Sequence, residues 1–304
     1  MLYNELKFGI EMEFTFMTRE KAASVLADFW GTSVIHQGGG YDTYTCRDTE
    51  NRVWKVMSDS SVVAQMIQRG NTVAAGRLYQ CELVSPVLTF ADMPMLQKVI
   101  RTLRSSGAKS NDSCGFHVHL SAPEPYTAKS LINLVNVVHS KQHLMYEALG
   151  VIPSRMRYCN YLPERLCKEI RKKKPRDING LANIWYDQLN GFDRYAHYDH
   201  SRYHCLNLHN LFSGRQPTIE FRCANGSLRD ARVVRATIEL YALMVAYAFN
   251  TKSCSYKEKE PTGSHKYAFR TFMLKLGCIG DELAVCRKYI LQNLSGNTAW
   301  RDRD

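Results

Sequence analysis

The segment KFGIEMEFTF at residues 7–16 constrains the fold of this chain more than any other. Phe8, Ile10, Met12, Phe14 and Phe16 fall on one parity; Gly9, Glu11, Glu13 and Thr15 fall on the other. Successive side chains of a strand point to opposite faces. The segment therefore predicts a strand with one face in a core and two carboxylates on the other face.

The same reading extends along the chain. VWKVMSD (53–59), LYQCELVSP (78–86), GFHVHLS (115–121), YHCLNLHNLF (203–212) and TIEFRC (218–223) are predicted as strands. Pro86 suits a strand end, because it cannot donate to a ladder. Helical patterns cover 19–30, 91–106, 127–149 and 229–250, with Gly107 and Gly150 as C-caps of the second and third. Shorter helices are expected in 163–190, around the basic run Arg171 to Lys174. Residues 36–48, with Gly38, Gly39 and Gly40, read as a flexible loop; 251–266 reads as a linker, and two helices finish the chain. The βαβ alternation and the Gly-rich strand–turn–helix fingerprint of a doubly wound sheet are both missing. The expected class is α+β, with antiparallel strands and helices gathered on one side.

Composition narrows the function classes. At 45% hydrophobic and 23% charged residues, wholesale disorder is excluded. No apolar run reaches the roughly 18–20 residues of a bilayer span, and no basic n-region precedes an apolar h-region, so no membrane partner is expected. None of the ten cysteines forms a CxxC pair, which removes support for a zinc ribbon; without an export signal they are expected as reduced thiols in a cytoplasmic protein. The net charge of +11 attracts polyanions such as nucleotides, nucleic acid or acidic peptides, and a basic surface with no partner explains it equally well.

The chemistry-bearing residues sit on the polar faces of these strands. One strand offers Glu11 and Glu13, another Glu82, a third His117 and His119, a fourth Glu220 and Arg222. Residues two apart on a strand lie about 7 Å from each other, a spacing that suits ligands for two different ions. Carboxylates with an occasional imidazole favour Mg²⁺ or Mn²⁺. A lone strand Glu is more often a solvated outer-face residue, an HxH pair more often scaffolding or a zinc pair, and Glu220–Arg222 could be a surface ion pair of little value. What shifts the balance is coincidence: every polar pair is embedded in bulky apolar residues, so all would gather over one sheet face, where bound cations relieve the repulsion.

FGIEMEF, the W-K-V-M-S-D-S-S segment, YQCELVSP, SCGFHVHLS and TIEFR occur in one order over residues 8–230. In that order the chain resembles the amidoligase family of the glutamine synthetase and glutamate–cysteine ligase superfamily. The resemblance implies a glutamine synthetase-like catalytic fold, a curved antiparallel sheet (half-barrel or cup) with helices packed on its outer face. It implies a catalytic domain at 1–250 and a C-terminal helical extension at 251–304. It also implies ATP, two divalent ions and amide formation through an acyl phosphate. Glu11 and Glu13 are then ligands to one ion each, Glu82 shares the site of Glu13, and His117 and Glu220 share the site of Glu11. Arg222 resembles the arginine that holds the transferred phosphoryl group, and His119 is expected near the nucleotide or acyl phosphate. Asp59, Arg202 and Asn207 fall in segments of supporting site positions, with turn capping as the plainer reading of Asp59. No distinctive third carboxylate completes the Glu13–Glu82 site. The acceptor is left open among an amino acid, a peptide, a protein side chain and a modified nucleobase, and relatives of this kind often lie in phages and mobile elements.

Two other readings stay in view: a metal-dependent amide or phosphoester hydrolase using the same carboxylates and the HxH pair, and a basic nucleic-acid-binding protein. His197, His200, His204 and His209 with Cys205 crowd one segment, but their spacing matches neither a helix face nor a strand face, so zinc is disfavoured.

Overall fold

The computed structural model describes residues 1–261 and 263–299, so position 262 of the expected linker and positions 300–304 of the expected extension lie outside the described residues. The chain divides into two compact units. The N-terminal unit comprises Lys7–Val118 and Ala224–Arg235; the C-terminal unit comprises Met1–Leu6, His119–Cys223 and Ala236–Asp304.

The N-terminal unit opens with β1 (Phe8–Phe14) and α1 (Arg19–Trp30), followed by β2 (Ile35–Gly38), β3 (Thr43–Arg47), β4 (Val53–Met57), β5 (Gln65–Gln68), β6 (Asn71–Ala74), β7 (Cys81–Val84), α2 (Met93–Ser105) and the first half of β8 (Gly115–Ser121). Its strands lie in the order β2-β3-β4-β7-β1-β8, and β5 and β6 form a separate hairpin. The pairs β2–β3, β3–β4, β4–β7 and β1–β7 are antiparallel. The alternation of β1 is realised: Phe8, Ile10, Met12 and Phe14 are at most 1% exposed. Thr18 caps α1 by accepting from the Lys21 N–H at 3.3 Å, and Gly31 ends it at φ 67°, a conformation open to glycine without a Cβ penalty. Helix α1 packs on β3, β4 and α2. The Trp30 ring lies 5.1 Å from that of Trp54 on β4. That contact defines the apolar face, on which Met12, Leu83 and Val56 stand side by side in register. The neighbouring row, Glu13, Glu82 and Met57, therefore belongs to the opposite face.

The C-terminal unit contains the second half of β8, then α3 (Ala128–Leu149), α4 (Glu164–Lys173), α5 (Ile178–Gln188), β9 (Leu206–Asn207), α6 (His209–Phe212), most of β10 (Thr218–Asn225), most of α7 (Ala231–Asn250), α8 (His265–Lys275) and α9 (Ala284–Ile290). Strand β10 lies between β8 and β9. It pairs antiparallel with β9, Glu220 opposite Asn207. Thr127 caps α3 and Gly150 closes it at φ 60°. Residues 251–258 are strapped to α3: Asn133 Nδ2 donates to Thr251 O at 2.7 Å, and its Oδ1 accepts from the Cys254 N–H at 3.0 Å. Nearly two turns further on, His139 Nδ1 lies 2.8 Å from Tyr256 O.

The class is α+β, with a large antiparallel sheet and helices. Strands β2 and β9 are edges, so the sheet is not closed. Two local expectations are corrected and one hairpin is added. Residues 36–48 are not a loop but most of the β2–β3 hairpin, in which Gly38 and Gly39 take positive φ at the turn. The β5–β6 hairpin was not expected at all; Arg69 and Gly70 both take positive φ between its strands. The strand expected at 203–212 shrinks to Leu206–Asn207, because the Asn207 side chain turns the chain into α6 by accepting from the His209 N–H at 2.8 Å. Helix α7 is the one described helix long and apolar enough to cross a membrane by length and composition; 72% of that stretch is buried inside the fold. All ten cysteines are free thiols, nine of them buried.

Candidate active site

The site of the N-terminal unit is built on the face of the sheet opposite α1. Register sets Glu13 on β1 directly across from Glu82 on β7. They are 4% and 8% exposed. Two buried carboxylates in direct cross-strand apposition repel each other. Around them the chain assembles donors. The Gly115 N–H points at Glu13 Oε2, 2.5 Å away. His117 on β8 places Nδ1 3.0 Å from Glu11 Oε2 and Nε2 3.9 Å from Glu13 Oε1.

Two triplets converge closely enough to hold ions. Ligand atoms of Glu11, Glu82 and His117 lie within 4.8 Å of one another, and so do those of Glu13, Asp59 and Glu82. Glu11 and Glu13 fall in different triplets, as the strand spacing predicts, and Glu82 belongs to both. The third carboxylate beside Glu13 and Glu82, not identifiable from sequence, is Asp59. It also performs the turn-capping role, its Oδ1 accepting from the Ser61 N–H at 2.6 Å. Carboxylate oxygens with a single imidazole form a hard donor set that suits Mg²⁺ or Mn²⁺ better than a soft ion, and a cation at each triplet would offset the apposed charges.

The C-terminal unit positions His119, Asn207, Glu220 and Arg222 on β8, β9 and β10, and Arg202 in the short 3-10 turn His200–Arg202 before β9. Glu220 is 1% and Arg222 7% exposed, which rules out a surface ion pair. Arg222 Nη1 pairs with Glu220 Oε1. Asn207 Nδ2 donates to Glu220 Oε2 at 2.6 Å. A buried pair of this kind costs desolvation that only good geometry repays, and fixes its side chains in place. The structure therefore brings Asn207, Glu220 and Arg222 into one network. Arg202 makes different contacts: its guanidinium stacks over Tyr198 at 5.3 Å and donates to His197 O at 3.0 Å. His119 is half-buried on β8.

Sequence reasoning missed Arg155. It is 2% exposed, and its Nη2 lies 3.4 Å from the Arg222 carbonyl. In sequence it looks like one more basic residue of a basic stretch, and nothing local marks it as buried. The histidine cluster does not converge. Among the described residues, the groups with metal-binding geometry include none of His197, His200, His204, Cys205 and His209. His209 instead uses both ring nitrogens, Nδ1 with Tyr186 Oη and Nε2 with Ala196 O, each at 2.8 Å.

No curated protein matches the chain in sequence. The family model described as "putative amidoligase enzyme" matches residues 4–245, a stretch that contains Glu11, Glu13, Asp59, Glu82, His117 and the Asn207–Glu220–Arg222 network. The resemblance of the ordered strand motifs and the match over most of the length agree: the chain belongs to the amidoligase family.

Proposed function

We propose that the chain is an ATP- and Mg²⁺-dependent carboxylate–amine ligase that forms an amide bond through an acyl phosphate, on a glutamine synthetase-like catalytic domain at 1–250 with 251–304 as a helical extension. The amidoligase family supports an amide-forming ligase with a carboxylate and an amine as substrates. The observation that carries the finer reading is the pair of triplets sharing Glu82, with Glu13 apposed to it. Two adjacent hard-cation sites are what a triphosphate needs, because divalent ions supply neutralisation of phosphate charge and alignment for in-line attack when bound.

In this reading Glu11, Glu82 and His117 hold one ion and Glu13, Asp59 and Glu82 the other. The resemblance adds Glu220 as a further ligand and His119 as a nucleotide contact, with Arg202 in support. Arg222 stabilises the transferred phosphoryl group through a planar, multidentate guanidinium, and Asn207 keeps the Glu220 carboxylate, and through it Arg222, in position. The substrate carboxylate attacks the γ-phosphorus and releases ADP. The amine then attacks the acyl carbon, expels phosphate and loses a proton, leaving the amide.

The reading is tested without knowing the natural amine. Hydroxylamine replaces it, a panel of amino-acid and peptide carboxylates is supplied with ATP and Mg²⁺, and ADP and hydroxamate are measured together. The ligase reading predicts that the two appear in equal amounts and that both vanish in Glu82→Gln. Turnover of an amide or phosphoester in metal alone, with no nucleotide, would establish the hydrolase instead.

A further inference from the structure

A cavity of about 660 Å³ lies in the C-terminal unit between α3, the end of α4 and the strap at 252–257. Its size is that of a ligand pocket, and it has a distinct chemistry. Lys129, Arg171, Lys174, Arg176, Lys252 and Lys257 line it, and no Asp or Glu does. All six cations are exposed, and among the described residues none of them is ion-paired. The neighbouring Lys168, Lys172 and Lys173 are paired within α4, so the cations turned to the cavity are the ones left over. Beneath them Ile132, Cys167 and Ile170 give an aliphatic floor.

A second observation comes from the strap. Asn133 uses both ends of its amide to hold it. Asn136 uses only one: Nδ2 donates to Cys254 O at 3.0 Å, while Oδ1 is buried and has no partner among the described residues. Both residues line the cavity, so the strap that forms one of its walls is held in place by α3.

We propose that this cavity binds an acidic peptide: an aliphatic side chain on the Ile132–Ile170 floor and carboxylates at the basic rim. The inference stands independently of the ligase reading. A nucleic acid fits less well, since base stacking needs aromatic platforms. Tyr256 is the lining aromatic, and its ring is engaged edge-on with His139 at 5.9 Å. The rim cations come from three separate chain segments, which matches charges spread along an extended ligand.

The test is fluorescence anisotropy on the full chain with a fluorescein-labelled peptide of alternating glutamate and leucine. The comparison probes are the glutamate–serine peptide of equal charge and a labelled single-stranded oligonucleotide. Expected is binding about tenfold tighter for the leucine peptide than for either probe, as burial of one leucine requires. The double variant R171E/R176E, at two exposed positions, should weaken it by about tenfold or more. Cys254 reports the location, being the cysteine that is not fully buried and a lining residue: saturating peptide should slow its alkylation by N-ethylmaleimide. Equal binding of the serine peptide, preference for the oligonucleotide, indifference to charge reversal, or an unchanged Cys254 rate would each overturn the proposal.

Discussion

Replacing Glu82 with glutamine separates the electrostatics of the candidate site from its packing, because the side chain keeps its shape and loses only its charge. Glu82 has ligand atoms within 4.8 Å of those of Glu11, Glu13 and Asp59. At that distance and an effective dielectric of about 20, one like-charge pair costs about 3.5 kcal/mol. The fold reduces this through the Gly115 N–H at Glu13 and the His117 ring beside Glu11. Without metal, Glu82→Gln is therefore expected to stabilise the chain by about 1–3 kcal/mol, raising Tm by about 2–4 °C per kcal/mol. With Mn²⁺ at about a hundred times its Kd, wild type should gain about 2.7 kcal/mol for each triplet filled, and the variant should lose most of that gain. Differential scanning fluorimetry across a metal titration reads both effects, and the two curves should cross. A variant that is less stable than wild type without metal, or that gains equally from Mn²⁺, would refute the reasoning.

Further expectations follow from other parts of the structure. Arg222→Lys retains a charge beside Glu220 but loses the planar donor array, so ADP release should fall by about 10²–10³-fold with the circular dichroism spectrum unchanged. Gly226→Ala would drive a Cβ to 2.8 Å from Cys114 Cβ and 3.0 Å from Glu13 O; this overpacking should cost about 1–3 kcal/mol in urea unfolding and lower metal affinity, both by pressing on β1. Asp48 is 3% exposed; burial alone would push its carboxyl up, but hydrogen bonds from the Trp54 indole and from Arg52 outweigh it and hold the group below its ordinary 3.8. The stability it contributes is thus present above that value and lost as pH falls through the lower folded one. Asp48→Asn should cost about 2 kcal/mol at neutral pH, with the gap to wild type narrowing in unfolding curves as the pH falls below 3.8.

Much of the fold was legible wherever one face of an element is buried. The alternation of 8–14 and the helical pattern of 19–30 correspond to β1 and α1. Hairpins with little buried surface are not legible: β2 is almost wholly exposed, and no residue of β5 or β6 is buried, so their pairing rests on Gly38, Gly39 and Gly70 at the turns rather than on a hydrophobic period. The linker expected at 251–266 looked polar and unattached because the partners that strap it to α3, Asn133 and His139, lie more than a hundred residues away.

The candidate site divides along the same line. That Glu11 and Glu13 share a face follows from two-residue spacing, which any strand dictates. That Glu13 stands opposite Glu82 depends on register, which no local signal carries. Asp59 reads in sequence as a turn cap, which its bond with Ser61 fulfils; that it also stands beside Glu13 and Glu82 depends on the fold. The burial of Arg155, and its approach to the Arg222 backbone, depends on long-range packing with no counterpart in sequence.

Counting bound Mn²⁺ by electron paramagnetic resonance addresses the paired-ion reading itself. The account predicts two ions per chain in the presence of a non-hydrolysable ATP analogue, one for each triplet. It also predicts loss of both in Glu82→Gln, where the ligand common to the two triplets is gone. A chain that takes up no Mn²⁺, or a variant that still holds two, would contradict it.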